Sequence, residues 1–178
     1  MRLFVAVDVD SRIEGYLNNI QMELDTLHAK LKPVSGYHIT LKFLGDVQDV
    51  EKVKEALENV SFNSFEMTTK GVGYFGKGNN IRVIWCGVEP KEQFNELHEK
   101  INYELTKIGF AEDKKFHPHI TLARVKQLKN KEGMIETLKN ITKKEISIRV
   151  NSIVLYKSTL TSQGPIYNVL QRVKSEDL

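Results

Sequence analysis

The stretch Tyr37-His38-Ile39-Thr40-Leu41-Lys42-Phe43-Leu44 contains a four-residue phrase, His38-Ile39-Thr40-Leu41, that returns unchanged as His119-Ile120-Thr121-Leu122. Both copies lie in apolar runs that predict buried strands. Successive strand side chains point to opposite faces, so His38 and Thr40 share one face while Ile39 and Leu41 share the other. His119 and Thr121 stand in the same relation. A strand phrase repeated in two half-chains, with helix-like segments between, predicts an α+β protein in which two similar sheet lobes face each other. The cleft between the lobes is where the two phrases would meet.

Outward from the first phrase, the opening run Arg2 to Val7 reads as a strand. Ser11 and Glu14 form a capping box, and apolar residues at Ile13, Leu17, Ile20, Leu24, Leu27 and Leu31 predict one long helix closed by Pro33 and Gly36. Asp49 caps a second helix that turns Val50, Val53, Leu57 and Val60 inward. Phe65 to Phe75, with glycines around it, leads through a turn into a strand from Ile81 to Val88. A third helix from about Pro90 buries Phe94, Leu97, Ile101, Leu105 and Ile108 and stops at Gly109. Pro118 cannot donate to a ladder and biases His117 toward extended backbone, which puts the start of the second phrase's strand at an edge. A weak helix from Met134 to Ile141, a long alternating run from Ile146 to Tyr156, a turn at Gln163-Gly164-Pro165 and a strand from Ile166 to Val173 complete the chain. No linker or low-complexity tract divides it, so residues 1–178 are expected to form one bilobal unit.

The balance of 26 Lys+Arg against 23 Asp+Glu gives a net charge of +3. It is compatible with a polyanionic substrate, but Lys and Glu alternate along the helices rather than clustering as in a dedicated nucleic-acid module. The single Cys86 excludes an internal disulfide and reads as a packing residue. No apolar run approaches a membrane span, and the N-terminus has no cleavage-site pattern, so a soluble cytoplasmic protein without a membrane partner is expected. With no coiled-coil pattern or spare apolar face, a monomer without an obligate protein partner is the default.

Two imidazoles with hydroxyl companions are what a site needs when one group gives a proton and another takes one, and an ordinary pKa near 6.5 lets both forms exist around neutrality. That chemistry fits an acid–base enzyme acting on a phosphodiester. His28 and His98, both placed on helices by the pattern, read as ordinary hydrogen-bonded residues. His117 and His119 form a His-x-His pair, but no Cys, Asp or Glu at usual spacing completes a metal ligand set. Arg124 lies at an odd offset from His119, so strict alternation turns it away from the cleft unless a bulge or the strand's end returns it. Spacing treats His38 and His119 as equals.

These residues resemble the two-histidine (2H) phosphoesterase superfamily. The resemblance rests on the two His-x-Thr-x phrases, the opening Arg2-Leu3-Phe4-Val5-Ala6-Val7, the runs His38 to Gly45 and Phe116 to Arg124, and the late segment Ser158 to Tyr167. Within it the chain looks most like the RNA 2′,3′-cyclic phosphodiesterases, the LigT-like proteins also called 2′-5′ RNA ligases. The resemblance implies a pseudo-symmetric bilobal fold, two antiparallel sheets facing a central cleft with helices outside, and no cofactor or metal. By similarity, His38 would be the proton donor, His119 the proton acceptor, Thr40 and Thr121 the phosphate-binding residues, and Arg124 a cleft residue on substrate. The implied partner is RNA ending in a 2′,3′-cyclic phosphate, tRNA fragments included, opened to a 2′-phosphomonoester, with reversible 2′-5′ RNA ligation through the same cyclic phosphate. Two other readings stay open: an RNA-end binding module without turnover, and a related phosphodiesterase acting on small cyclic nucleotides or 2′-5′ linkages.

Overall fold

The opening run forms strand β1 (Arg2–Asp8), buried from Leu3 to Val7 because one face meets the core and the other floors the cleft. The structure is a computed structural model that describes residues 1–24 and 27–177. After β1 come α1 (Ser11–Glu23), β2 (Ala29–Pro33), β3 (His38–Asp46), α2 (Val50–Glu58), β4 (Phe65–Lys77) and β5 (Asn80–Glu89). Then follow α3 (Lys91–Thr106), β6 (His119–Leu128), α4 (Lys131–Asn140), β7 (Ser147–Val150), β8 (Ser152–Thr161) and β9 (Gly164–Lys174). The strands form two antiparallel sheets, ordered β3-β1-β8-β9 and β2-β6-β5-β4-β7, as the α+β reading expects. Each phrase opens its strand, one in each sheet, and β3 and β6 approach each other across the cleft. Among the described residues no helix is long and apolar enough to cross a membrane.

Four expectations need correction. The first helix does not run to Leu31: α1 ends at Glu23, Leu27 is 88% exposed, and Ala29–Pro33 is strand β2. The part expected at positions 25 and 26 lies outside the described residues. A ladder to β6, with Leu31 opposite Val125 and Lys32 opposite Arg124, satisfies backbone groups on an edge that would otherwise stay open, so pairing overrides a helical spacing of leucines. His28 accordingly sits in the turn before β2 rather than on a helix. The cap of α1 is Asp10, whose carboxylate accepts from the Arg12 N–H, one residue ahead of the expected Ser11. The run from Ile146 to Tyr156 is two strands that part at Asn151, β7 pairing with β4 and β8 with β1, so one alternating pattern serves both sheets. Elsewhere the pattern held: Asp49 caps α2, and α3 buries Phe94, Leu97, Ile101 and Leu105, although Ile108 lies past its end and is 37% exposed.

Apolar residues of both sheets and all four helices join one core cluster. Cys86 packs inside it, and burial pushes its thiol up to about 12, which suits a packing role. One charged side chain also goes inside. Lys42, on the core face of β3, is 3% exposed, and its Nζ donates to Asn102 Oδ1 at 2.5 Å and to the Ala111 carbonyl at 2.8 Å. It pairs with Asp113 at 3.1 Å. Beside it His98 stacks on Phe116, with ring centroids 4.2 Å apart, and meets Asp113, so His98 is the hydrogen-bonded residue expected. This cluster ties the strand that carries His38 to the loop that delivers His119. Lys42→Ala is expected to cost about 2–3 kcal/mol in chemical denaturation, because it strands buried acceptors while the half-exposed Asp113 rehydrates. A loss too small to resolve would show that the cluster contributes nothing to stability.

Candidate active site

The two strands that carry the phrases are built alike. In the first sheet His38 lies opposite Asp8, Thr40 opposite Ala6 and Lys42 opposite Val5, with a register shift that leaves Leu41 extra. In the second sheet His119 lies opposite Gly87, Thr121 opposite Trp85 and Ala123 opposite Ile84, leaving Leu122 extra. A bulge therefore follows each phrase at the same place. It puts two buried residues in succession, Leu41-Lys42 and Leu122-Ala123, and so reverses the alternation beyond them. Arg124, which strict alternation would send away, returns to the cleft, with Phe43 as its counterpart. The carbonyl of Leu122 is not left bare by the bulge: it accepts from Val34 N–H at 3.0 Å and from Gln21 Nε2 at 2.7 Å.

Each imidazole is held the same way. His38 Nδ1 lies 3.0 Å from the carbonyl of Gly36, and His119 Nδ1 lies 2.6 Å from the carbonyl of His117, in both cases the residue two before it. A carbonyl only accepts, so Nδ1 carries a proton in both rings and Nε2 is left to exchange one. Aromatic walls hold the rings. Phe4 and Tyr167 stand 4.9 and 5.2 Å from His38, while Phe75 stands 4.8 Å from His119. Trp85 braces Phe75 at 5.2 Å and is seated by Gly73, where a Cβ would lie 2.3 Å from the indole. His38, Thr40, His119, Thr121 and Arg124 all line one cleft of about 570 Å³, together with Phe43, Ser158 and Tyr167. Thr40 and Thr121 make no side-chain hydrogen bond with the protein among the described residues, so both hydroxyls are left for a ligand.

Burial lowers the affinity of both imidazoles for a proton. At His38 the Gly36 carbonyl and the Asp8 carboxylate oppose that effect, while Arg124 adds to it. At His119 the His117 carbonyl opposes it, and the charges of His117, His38 and Arg124 all push further down. The rings therefore feel each other and share Arg124 as a neighbour. An anion entering the cleft would meet fixed positive charge and would favour an imidazolium.

The sequence and the fold both have counterparts among known proteins. A sequence profile of the 2′-5′ RNA ligase superfamily matches residues 9–161. The chain belongs to the 2′-5′ RNA ligase superfamily. A relative from Thermotoga maritima named RNA 2′,3′-cyclic phosphodiesterase is 38% identical, over 99% of this chain and 96% of its own. One of the same name from Methanothermobacter thermautotrophicus is 33% identical, over 96% and 97%. Among solved structures, a Thermus thermophilus protein superposes with a TM-score of 0.78 at 27% identity, covering 98% of this chain and 97% of that one. Escherichia coli LigT in apo form gives 0.76 at 23% identity, covering 98% and 96%, a likeness of fold.

In this member of the 2′-5′ RNA ligase superfamily the sequence reading located the paired phrases and missed their walls. Phe4, Phe75, Trp85 and Asp8 reach the site only through strand register, which composition and spacing do not reveal. The one available signal was position: Phe4 and Asp8 share the parity of β1's cleft face. In the His-x-His pair the His117 carbonyl holds His119 Nδ1, and the two ring centroids lie 6.1 Å apart. Among the described residues no group of three or more His, Cys, Asp or Glu is placed to hold a metal ion.

Proposed function

We propose that this chain hydrolyses RNA 2′,3′-cyclic phosphodiester ends to 2′-phosphomonoesters by metal-independent acid–base catalysis, working as a single bilobal unit over residues 1–178. The observation that carries the reading is the matched pair of imidazoles, each pinned through Nδ1 to a carbonyl, which leaves both Nε2 atoms for one shared cleft. The names of the relatives support the substrate class.

In this reading His119 Nε2 takes a proton from water as the water oxygen bonds to phosphorus. The bond from phosphorus to the 3′-oxygen breaks, and His38 Nε2–H gives its proton to that oxygen. The product carries a 2′-phosphate and a free 3′-hydroxyl, and both histidines return to their starting states by exchanging one proton with solvent. Thr40 and Thr121 donate to the non-bridging oxygens while Arg124 offsets their charge. With the 5′-hydroxyl of a second RNA in place of water, the same ring opening would form a 2′-5′ phosphodiester and free the 3′-hydroxyl, which is the ligation direction.

The pH–rate profile tests it. The profile of kcat/KM reports the free enzyme, in which burial holds both imidazoles below the ordinary value of 6.5. A bell with its maximum on the acid side of 6.5 is expected. Bound phosphodiester is an anion and favours the imidazolium, so the kcat bell lies at higher pH than the kcat/KM bell. A profile with only one limb would contradict a two-histidine mechanism.

A further inference from the structure

The two halves of the site share the His-x-Thr-x phrase and the bulge after it, but they differ in what stands opposite each histidine. Opposite His119 stands Gly87, where a Cβ would lie 2.5 Å from the carbonyl oxygen of Lys70, so no side chain fits. Opposite His38 stands Asp8. Directly opposed residues of an antiparallel pair project from the same face, which places the Asp8 carboxylate beside the His38 ring. Resting on the two-histidine reading above, we propose that Asp8 is the residue that makes His38, and not His119, the proton donor.

Asp8 does not act by hydrogen bonding to the ring, because His38 Nδ1 is already taken by Gly36. It acts through charge and touches no reacting atom. Two neighbours fix it in place: Tyr156 OH donates to Oδ1, and Arg172 Nη2 donates to Oδ2 at 2.5 Å while Nη1 holds Ser152 Oγ at 2.9 Å. Burial and the carboxylate push the Tyr156 phenol well above its usual range, so it remains a donor. The groups around His38 are thus Asp8 from β1, Tyr156 from β8, Tyr167 and Arg172 from β9, and Arg124 and His119 from β6. Arg2, at the far end of β1, lies opposite Asp46. Among these the one anion favours an imidazolium at His38. Among the described residues His119 has no such neighbour and meets His117, His38 and Arg124 instead.

The test is the pH profile of kcat/KM for Asp8→Asn and for Arg172→Gln, on an RNA ending in a 2′,3′-cyclic phosphate. Above both apparent pKa values the rate follows the fraction of donor still protonated; below both, it follows the fraction of base still neutral. Asp8→Asn keeps the shape and one acceptor oxygen for Arg172, turns the other position into an NH2 that can donate to the Tyr156 oxygen, and removes the charge. It should lower the alkaline limb by about tenfold and leave the acid limb unchanged. Arg172→Gln unshields Asp8, so it should move the alkaline limb the opposite way, holding activity to higher pH.

A loss uniform across pH in Asp8→Asn would overturn the proposal and reduce Asp8 to a structural residue. A gain in the acid limb with the alkaline limb intact would overturn it differently, by showing that the histidine coupled to Asp8 is the base. Should Asp8→Asn fail to fold, an unmoved alkaline limb in Arg172→Gln would overturn it as well. Wild-type inactivity on this substrate would instead sink the catalytic reading, and the inference with it.

Discussion

His38→Ala and His119→Ala are each expected to lower turnover of a cyclic-phosphate RNA end by about 10²–10⁴-fold, the usual contribution of one positioned acid or base. Both rings stand on the cleft face of their strands, outside the core cluster, and each makes one hydrogen bond to a neighbouring backbone carbonyl. Removing either ring therefore leaves the core intact, and far-UV circular dichroism should match wild type. KM should change little, because the phosphate is held by other groups. The residual rates should differ in form: His38→Ala loses the alkaline limb of the profile and His119→Ala loses the acid limb. The double variant should be scarcely worse than either single one, since the two act as a unit. Retention of activity within a few-fold of wild type by either variant would contradict the assignment.

Thr40→Val and Thr121→Val should each cost about 10²-fold in kcat, the scale for one donor aimed at charge that builds up in the transition state. Valine matches threonine in shape and branching, so the strand and its bulge are preserved. Neither hydroxyl is used by the fold, so the substitution leaves no protein group unpaired. The loss should fall on kcat more than on KM, because the oxygens carry more charge in the transition state than in the bound cyclic phosphate. Should both variants bind and turn over normally, the phosphate must be held elsewhere in the cleft.

Much of this site is legible in the amino-acid sequence. The repeated phrase is short, but alternation fixes which of its residues share a face, and that is enough to put His38 with Thr40 and His119 with Thr121. The bulges are not legible. They depend on two strands agreeing to leave one residue out, and only an open alternative for Arg124 hints at them. The same limit explains β2, where leucine spacing reads as helix and an unsatisfied edge decides otherwise. Lys42 is the least foreseeable, since strict alternation sets it on the face of His38 and Thr40 until the bulge turns it inward to Asn102 and Asp113. Asp8 is visible as the last residue of a strand, but its significance depends on Gly87 occupying the matching position, a comparison that needs the register of both sheets.

The most direct measurement is product identification on a short RNA ending in a 2′,3′-cyclic phosphate, incubated with the full chain in excess EDTA. Release of a 2′-phosphomonoester at a rate that EDTA does not change is the expected result. A 3′-phosphate product, turnover that EDTA abolishes, or binding without turnover would contradict metal-independent opening of the ring toward the 2′-phosphate.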